Sequence, residues 1–273
     1  MDRERDRPPG GLDRTGYELV REDTFEAPTL DGSLWLPRYL SHWSSREASA
    51  ARFSLDGEHL RLRVHADQPP WCPEFDGWLR VSSIQTGAFS GPVGSTIGQH
   101  HFAAGMIVRE EQPNVMLYTP QYGLFELRAR GVDDPANMVA LWMIGYEDQP
   151  ERSGEILIFE IFGKDAERDM ARIGVGVRPH RDPAVVDAFS QEPVSIDIRE
   201  FHTYAAEWTP THIGFYVDDR LIKVVRQSIA YPMQFMLGIY EFAEGPEPAS
   251  PHDRYPKEFV VDWFRSWRRI GSD

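Results

Sequence analysis

The chain has 273 residues, 41% of them hydrophobic, with 43 acidic and 29 basic side chains and a formal net charge of −14. That balance argues against nucleic acid or an anionic membrane surface as the main partner, because both need a basic face. The single cysteine, Cys72, allows no internal disulfide and no Cys/His ligand set for structural zinc.

The opening MDRERDRPPGG has no apolar core of the kind a secretory leader needs. No run of roughly 18 apolar residues follows anywhere, so no membrane helix is expected. The expected location is the cytoplasm as written, or outside the cell if a leader has been removed. Residues 1–16 are rich in both charges and poor in apolar side chains, and they read as a disordered or loosely attached tail. Residues 17–273 show no linker and no repeat, and read as one domain. A β-sandwich of roughly 200–250 residues folds as a single unit, so the length does not demand two domains.

From Tyr17 the pattern is one of short strands and turns. His59–His65 (HLRLRVH) alternates apolar and basic residues, as a strand with one buried face does. Residues 66–105 are irregular, with Pro69, Pro70 and Pro73 among Trp71, Trp78, His100 and His101. Such a loop-rich, aromatic stretch is where a β scaffold carries a binding site. Tyr122–Arg130 alternates, whereas Asn137–Ile144 and Glu155–Phe162 are nearly continuous apolar runs, as central strands covered on both faces are. A short helical turn is expected near Pro183–Phe189. Further strands follow at Thr203–Trp208, Ile213–Val217, Leu221–Arg226, Gln234–Phe242 and Phe259–Arg268. Asp218-Asp219 supplies a tight hairpin turn between two of them. The fold class is all-β, a two-sheet antiparallel sandwich.

Gly154–Gly163, GEILIFEIFG, places Glu155 and Glu160 in one apolar strand. An unpaired buried carboxylate costs several kcal/mol, on the order of what whole side-chain contacts contribute. Two readings are open. Both carboxylates lie at strand ends, facing solvent or paired with arginine, or both converge on a cleft. Residues five apart in a regular strand face opposite sides. A one-residue β-bulge would bring both to one face. Two converging carboxyls about 5–5.5 Å apart are what retaining glycoside hydrolysis requires.

The segment resembles the ExDxxE signature of glycoside hydrolase family 16, the laminarinase-like group. YGLFELRAR (Tyr122–Arg130), VALWMI (Val139–Ile144), FHTYAAEWTPTHIGFYVDD (Phe201–Asp219), VVDWFRSWR (Val260–Arg268) and TFEAPTLDGSLW (Thr24–Trp35) are similar to other blocks of that family in the same order. The resemblance covers roughly residues 17–270. It implies a concanavalin A-like jelly roll with a concave substrate cleft and a retaining β-glycosidase acting on a polysaccharide or oligosaccharide, foremost a β-1,3-glucan. Glu155 would be the nucleophile and Glu160 the general acid/base, with no cofactor needed for the chemistry. Trp142, His180 and Tyr122 are expected on the substrate side, with His180 reaching Glu160. Asp262, with Asp23, would contribute to a structural Ca²⁺, although Thr24 stands where relatives commonly have Glu.

Two residues depart from the family pattern. Leu157 occupies the place of the central Asp of the signature, and a leucine neither hydrogen-bonds a carboxylate nor shares its charge. A loss on the order of 10²–10⁴ in rate is expected unless another polar group substitutes. Met138 stands where the family often has a second Trp, which thins the aromatic platform for sugar rings. The alternative reading of Leu157 is a non-catalytic carbohydrate-binding protein on the same sandwich. His202 is expected to be structural, and Arg109-Glu110-Glu111 a solvated charge run.

Overall fold

Strand formation follows the period-two and continuous apolar patterns closely. The structure, a computed structural model, describes residues 11–271. In chain order the strands are β1 (Tyr17–Asp23), β2 (Phe53–Leu55), β3 (Leu60–Val64), β4 (Leu79–Gln85), β5 (Gly87–Ala88), β6 (Val115–Met116), β7 (Gly123–Arg130), β8 (Asn137–Gly145), β9 (Glu155–Phe162), β10 (Ala171–Arg178), β11 (Ser190–Val194), β12 (His202–Trp208), β13 (Ile213–Val217), β14 (Arg220–Val225), β15 (Met233–Phe242) and β16 (Lys257–Arg269).

They form two large antiparallel sheets, with β5 and β6 paired as a separate two-stranded ribbon. One runs β14-β13-β12-β7-β16-β3-β2, with β1 also pairing with β16, and the other runs β11-β10-β9-β8-β15-β4. This is the two-sheet sandwich expected from the strand pattern, in the jelly-roll form that the resemblance implies. Leu62, Phe125, Leu127, Phe215 and Phe264 of the first sheet pack against Leu141, Ile156, Phe159, Phe235 and Leu237 of the second. Each such side chain contributes about 1.5–3 kcal/mol on burial.

The second sheet is covered on its other face as well. Ala140, Ile144, Leu157 and Met236 lie beneath Leu40, Trp43, Trp71 and Met106, which come from loops. That double burial explains why β8 and β9 read as continuous apolar runs rather than alternating ones.

Besides the short strands β2, β5 and β6, three longer ones lie outside the sequence reading. β4 falls inside the stretch expected to be irregular. Its polar residues are buried and bonded: Arg80 donates to Glu241 at 2.7 Å, and Ser82 Oγ donates to the Arg52 carbonyl. β10 carries Gly174 and Gly176, which break the apolar pattern, and β11 is a polar edge strand containing Pro193. The expected turn near Pro183–Phe189 is present as a single turn at Pro183-Ala184, where the Val185 amide donates to the Asp182 carbonyl, and no helix follows.

The expected tail needs correction over its last residues; residues 1–10 lie outside the described residues. Leu12 is buried with Leu124 and Ala205, and its amide donates to the Asp219 carbonyl at 2.8 Å. Arg14 pairs with Glu126 and Asp219. Two anchors, one apolar and one ionic, hold a segment whose composition reads as unattached. Replacing Leu12 with Ala removes the apolar anchor. The expected cost is about 2–4 kcal/mol, read as a lower urea midpoint by tryptophan fluorescence. An unchanged midpoint would return residues 11–16 to the status of a loose tail.

Candidate active site

The strand β9 does not alternate throughout. Ile156, Ile158, Phe159 and Ile161 all face the core between the sheets, while Leu157 faces the opposite way. Two consecutive core-facing residues, Ile158 and Phe159, mark a bulge. The pairing agrees: Leu141 opposes Phe159, yet the next residue, Trp142, opposes Leu157. The register against β10 shifts at the same place, between Gly174 and Gly176. Glu155, Leu157 and Glu160 therefore share one face, as a one-residue bulge requires.

That face opens into a cleft of about 460 Å³ lined by Glu155, Glu160, Trp142, Met138, His180 and Tyr240, among others. Both glutamates are nearly buried, at 6% and 9% exposure. Their partners differ. His100 Nδ1 lies 3.3 Å from Glu155 Oε1, at ion-pair distance but without hydrogen-bond alignment. Burial pushes the Glu155 carboxyl up, but His100, followed by His180 and Arg178, outweighs it and holds the group below its ordinary value. His100 responds in kind. Burial disfavours its charge, and the Glu155 carboxylate overcomes that to raise the imidazole.

Glu160 moves the other way. Burial raises its carboxyl to about 7, Arg178 offsets part of the rise, and Glu155 adds to it. Arg178 reaches Glu160 Oε2 at only 3.6 Å, half-exposed and stacked over the Phe189 ring. A weak, partly hydrated cation does less for a carboxylate than a close buried one.

The loops that bring the histidines in are themselves tied down. The His100 amide donates to Glu147 Oε1 at 2.6 Å, and Arg181 donates to Glu147 Oε2 at 2.9 Å. The Arg181 amide donates to Ser153 Oγ. Glu147 thus bridges the two loops carrying His100 and His180, whose rings stack at 4.9 Å. Both histidines have positive φ, +53° and +48°. That region is sparsely populated by side-chain-bearing residues.

The structure brings together Glu155, Glu160, Trp142 and His180, but not all the residues expected at the site. Trp142 lines the cleft although only 7% exposed, and its Nε1 donates to the Tyr240 hydroxyl at 3.0 Å. His180 faces Glu155 and His100 rather than Glu160. Tyr122 lies elsewhere, in a separate cavity with Tyr17 and Trp208, its ring edge-on to Trp208. Asp23 and Asp262 lie on the paired strands β1 and β16. Asp23 accepts from the Phe25 amide and Trp35 Nε1, and Asp262 is paired with Arg128. Each of the two expected calcium ligands thus has protein partners of its own.

Of the loop candidates, His100 lines the cleft, Trp71 is buried behind it and Trp78 is exposed. His202 is structural as expected, held by Asp218 at 2.6 Å and the Asp197 carbonyl at 3.0 Å. Arg109 and Glu111 are exposed, as a solvated charge run is, and Arg109 and Glu110 make surface ion pairs with Glu74 and Arg46. Arg178, Asp76 and Tyr240 were not anticipated. Tyr240 sits on the alternating face of β15 and was legible there, whereas no local pattern marks Asp76.

Comparison with known proteins points one way. The model of the family described as Glycosyl hydrolases family 16 matches residues 117–264, more than half of the chain. A beta-glucanase of Rhodothermus marinus is 27% identical over 173 residues, 55% of this chain and 58% of that protein. Among solved structures, the GlcNAcα1-4Gal releasing endo-β-galactosidase from Clostridium perfringens has a TM-score of 0.81 at 31% identity, over 97% of this chain and 66% of that one. The laminarinase from Rhodothermus marinus has a TM-score of 0.62 at 20% identity, over 92% and 97% of the two chains, a likeness of fold alone. The chain thus spans less than two thirds of the length of the beta-glucanase and of the endo-β-galactosidase.

The raised Glu160 carboxyl has a consequence for stability. A carboxyl raised on folding favours the native state fully below its unfolded value near 4.5, and that advantage is lost as pH rises through about 7. Glu160→Gln removes the penalty of ionising in place. The variant is expected to match the parent at pH 4 and to be more stable at pH 8, by about 2–4 kcal/mol. Parallel urea unfolding at the two pH values checks this, and equal stability at pH 8 contradicts it.

Proposed function

Since the chain belongs to Glycosyl hydrolases family 16, we propose that it is a retaining endo-β-glycosidase with Glu155 as nucleophile and Glu160 as general acid/base. The observation that carries this is the pair of buried carboxylates on one cleft face, one held low and the other raised to about 7. Two carboxyls whose environments push them apart divide the labour that glycoside cleavage needs.

In the first step the ionised Glu155 oxygen attacks the anomeric carbon and forms a C–O ester bond. The glycosidic C–O bond breaks, and the Glu160 proton passes to the leaving oxygen. In the second step the Glu160 carboxylate takes a proton from water, whose oxygen displaces Glu155 at the same carbon. Two inversions give net retention. His100 takes over part of the task of the acidic residue that Leu157 replaces, since it keeps Glu155 ionised from the side rather than from along the strand. Trp142 and Met138 offer apolar surface to a sugar face.

The substrate we favour is an oligosaccharide or polysaccharide with an internal β-galactoside linkage. The likeness to the endo-β-galactosidase at 31% identity over 97% of the chain supports it. Met138 in place of a tryptophan is consistent with a departure from flat stacking on glucan. The β-1,3-glucan reading is the second one, supported by the beta-glucanase relative.

Digestion of laminarin and of glycans ending in GlcNAcα1-4Galβ, with products resolved by mass spectrometry, separates the two. Release of the GlcNAc-Gal disaccharide is the expected result, and cleavage of laminarin alone would favour glucan. With an activated aryl glycoside, Glu160→Ala is expected to be rescued by azide to a β-glycosyl azide, and Glu155→Ala to give the α-anomer. The opposite pattern would exchange the two roles. Arg178→Ala removes the cation that lowers Glu160. The alkaline limb of kcat/KM, expected near pH 7, should then move upward, and an unmoved limb would dissociate that limb from Glu160.

A further inference from the structure

The His100–His180 pair has an unusual feature for a site built around carboxylates. His100 Nδ1 and His180 Nε2 are both buried, and neither has a hydrogen-bond partner. Buried polar nitrogens are normally satisfied; here His180 Nε2 has no partner, and His100 Nδ1 has only the Glu155 oxygen, 3.3 Å away and out of hydrogen-bond line. One ring nitrogen of each histidine and one oxygen of Glu155 lie within 4.8 Å of one another. Among the described residues this is the one group of histidine, cysteine or carboxylate side chains with metal-ligand spacing.

We propose that His100, His180 and Glu155 form a site for a divalent transition cation of the zinc class, and that occupation of this site switches the hydrolase off. Two imidazoles and one carboxylate with a fourth position open to the cleft is a donor set suited to Zn²⁺. The 3.3 Å between His100 Nδ1 and Glu155 Oε1 matches a tetrahedral edge for bonds of about 2.0–2.1 Å. The third donor, a His180 ring nitrogen, lies within 4.8 Å of the other two and closes on the ion by a movement of the His180 ring. Glu147 holds both loops through the His100 backbone amide and the Arg181 side chain, which fixes the backbones that carry the two rings. The cleft supplies the entry path. Mg²⁺ and Ca²⁺ prefer all-oxygen shells and do not suit two imidazoles.

The consequence for activity rests on the role given to Glu155 above; the binding itself does not. A cation bound to the Glu155 carboxylate occupies the lone pair that would attack the anomeric carbon. It also fills the cleft floor, so it competes with glycan.

Calorimetric titration of the full, untagged chain with ZnCl₂ tests the site without any substrate. The expected result is one Zn²⁺ per chain, with at least about tenfold weaker binding in His180→Gln and in Glu155→Gln. Mg²⁺ and Ca²⁺ should give no comparable heat. Co²⁺ as a spectroscopic probe should show the visible bands of a four-coordinate ion in the parent, and these should weaken in both variants. Absence of one-to-one Zn²⁺ binding, or affinity unchanged in both variants, overturns the site. If Zn²⁺ binds as expected, chelator-reversible inhibition that raises KM and leaves kcat unchanged is the expected kinetic form. Binding without inhibition overturns the switch, and a chain that binds Zn²⁺ but cleaves no glycan overturns the hydrolase reading instead.

Discussion

A β-strand turns every second side chain to the same face, and a single extra residue is enough to reverse the assignment of everything beyond it. In β9 that extra residue sits at Ile158–Phe159, where two consecutive side chains enter the core. Without it Glu160 would point between the sheets among phenylalanines and isoleucines, an unpaired carboxyl in a medium that cannot ionise it. With it, Glu155, Leu157 and Glu160 line up on the outer face. The core is well served by the same arrangement, because Phe159 packs on Tyr204 with ring centroids 4.4 Å apart. Core packing and site geometry thus depend on one local irregularity.

Placing two carboxylates on that face would amount to little if it were open to water, since solvation would leave both near their ordinary values. The loops around Leu40, Trp43, Trp71 and Met106 cover much of it and leave both glutamates less than a tenth exposed. Burial then acts on both glutamates alike, in the upward direction. What separates them is the distance and burial of the nearest cation. His100 is close to Glu155 and enclosed, whereas Arg178 is farther from Glu160, half in solvent and engaged with Phe189. Gly174 and Gly176 make room for that arrangement. A Cβ on Gly176 would meet the Ala188 carbonyl oxygen at 2.3 Å, so the Phe189 segment lies against β10 only because no side chain is there.

The sandwich was readable because its strands state their environment twice, through alternation in β3 and β7 and through continuous apolar runs in β8 and β9. The position of the two glutamates in β9 was readable too, together with the need for a bulge between them. What could not be read was set by distant contacts. β4 escaped notice because its buried Arg80 and serines are satisfied by partners such as Glu241 and Arg52, which no local pattern reveals. Leu12 and Arg14 look like tail until Leu124, Ala205, Glu126 and Asp219 arrive from elsewhere in the fold. His180 was legible as a cleft residue but not its choice of Glu155 over Glu160, because a histidine on a loop is aimed by the loop's closure.

Leu157 makes that closure matter more. An acidic residue between the two glutamates would be held by the sheet itself, with the rigidity of paired strands on both sides. With a leucine there, the charged partner beside Glu155 is His100 on its loop, and the backbones of His100 and of its stacking neighbour His180 lie in a region costing on the order of 1 kcal/mol or more each. Such conformations persist only where surrounding contacts overdetermine them. Here the overdetermination runs through Glu147, which accepts from the His100 amide and from Arg181 while itself 3% exposed. The ionisation of a sheet residue is therefore coupled to the order of two loops, through one buried carboxylate that touches neither glutamate's cleft face. Loosening either loop would let water reach Glu155 and withdraw its cation together, two changes that act on its charge in opposite directions. Because of that compensation, the charge of Glu155 is less sensitive to loop motion than its position is, and the His100–Glu147–Arg181 bridge acts more on orientation than on charge.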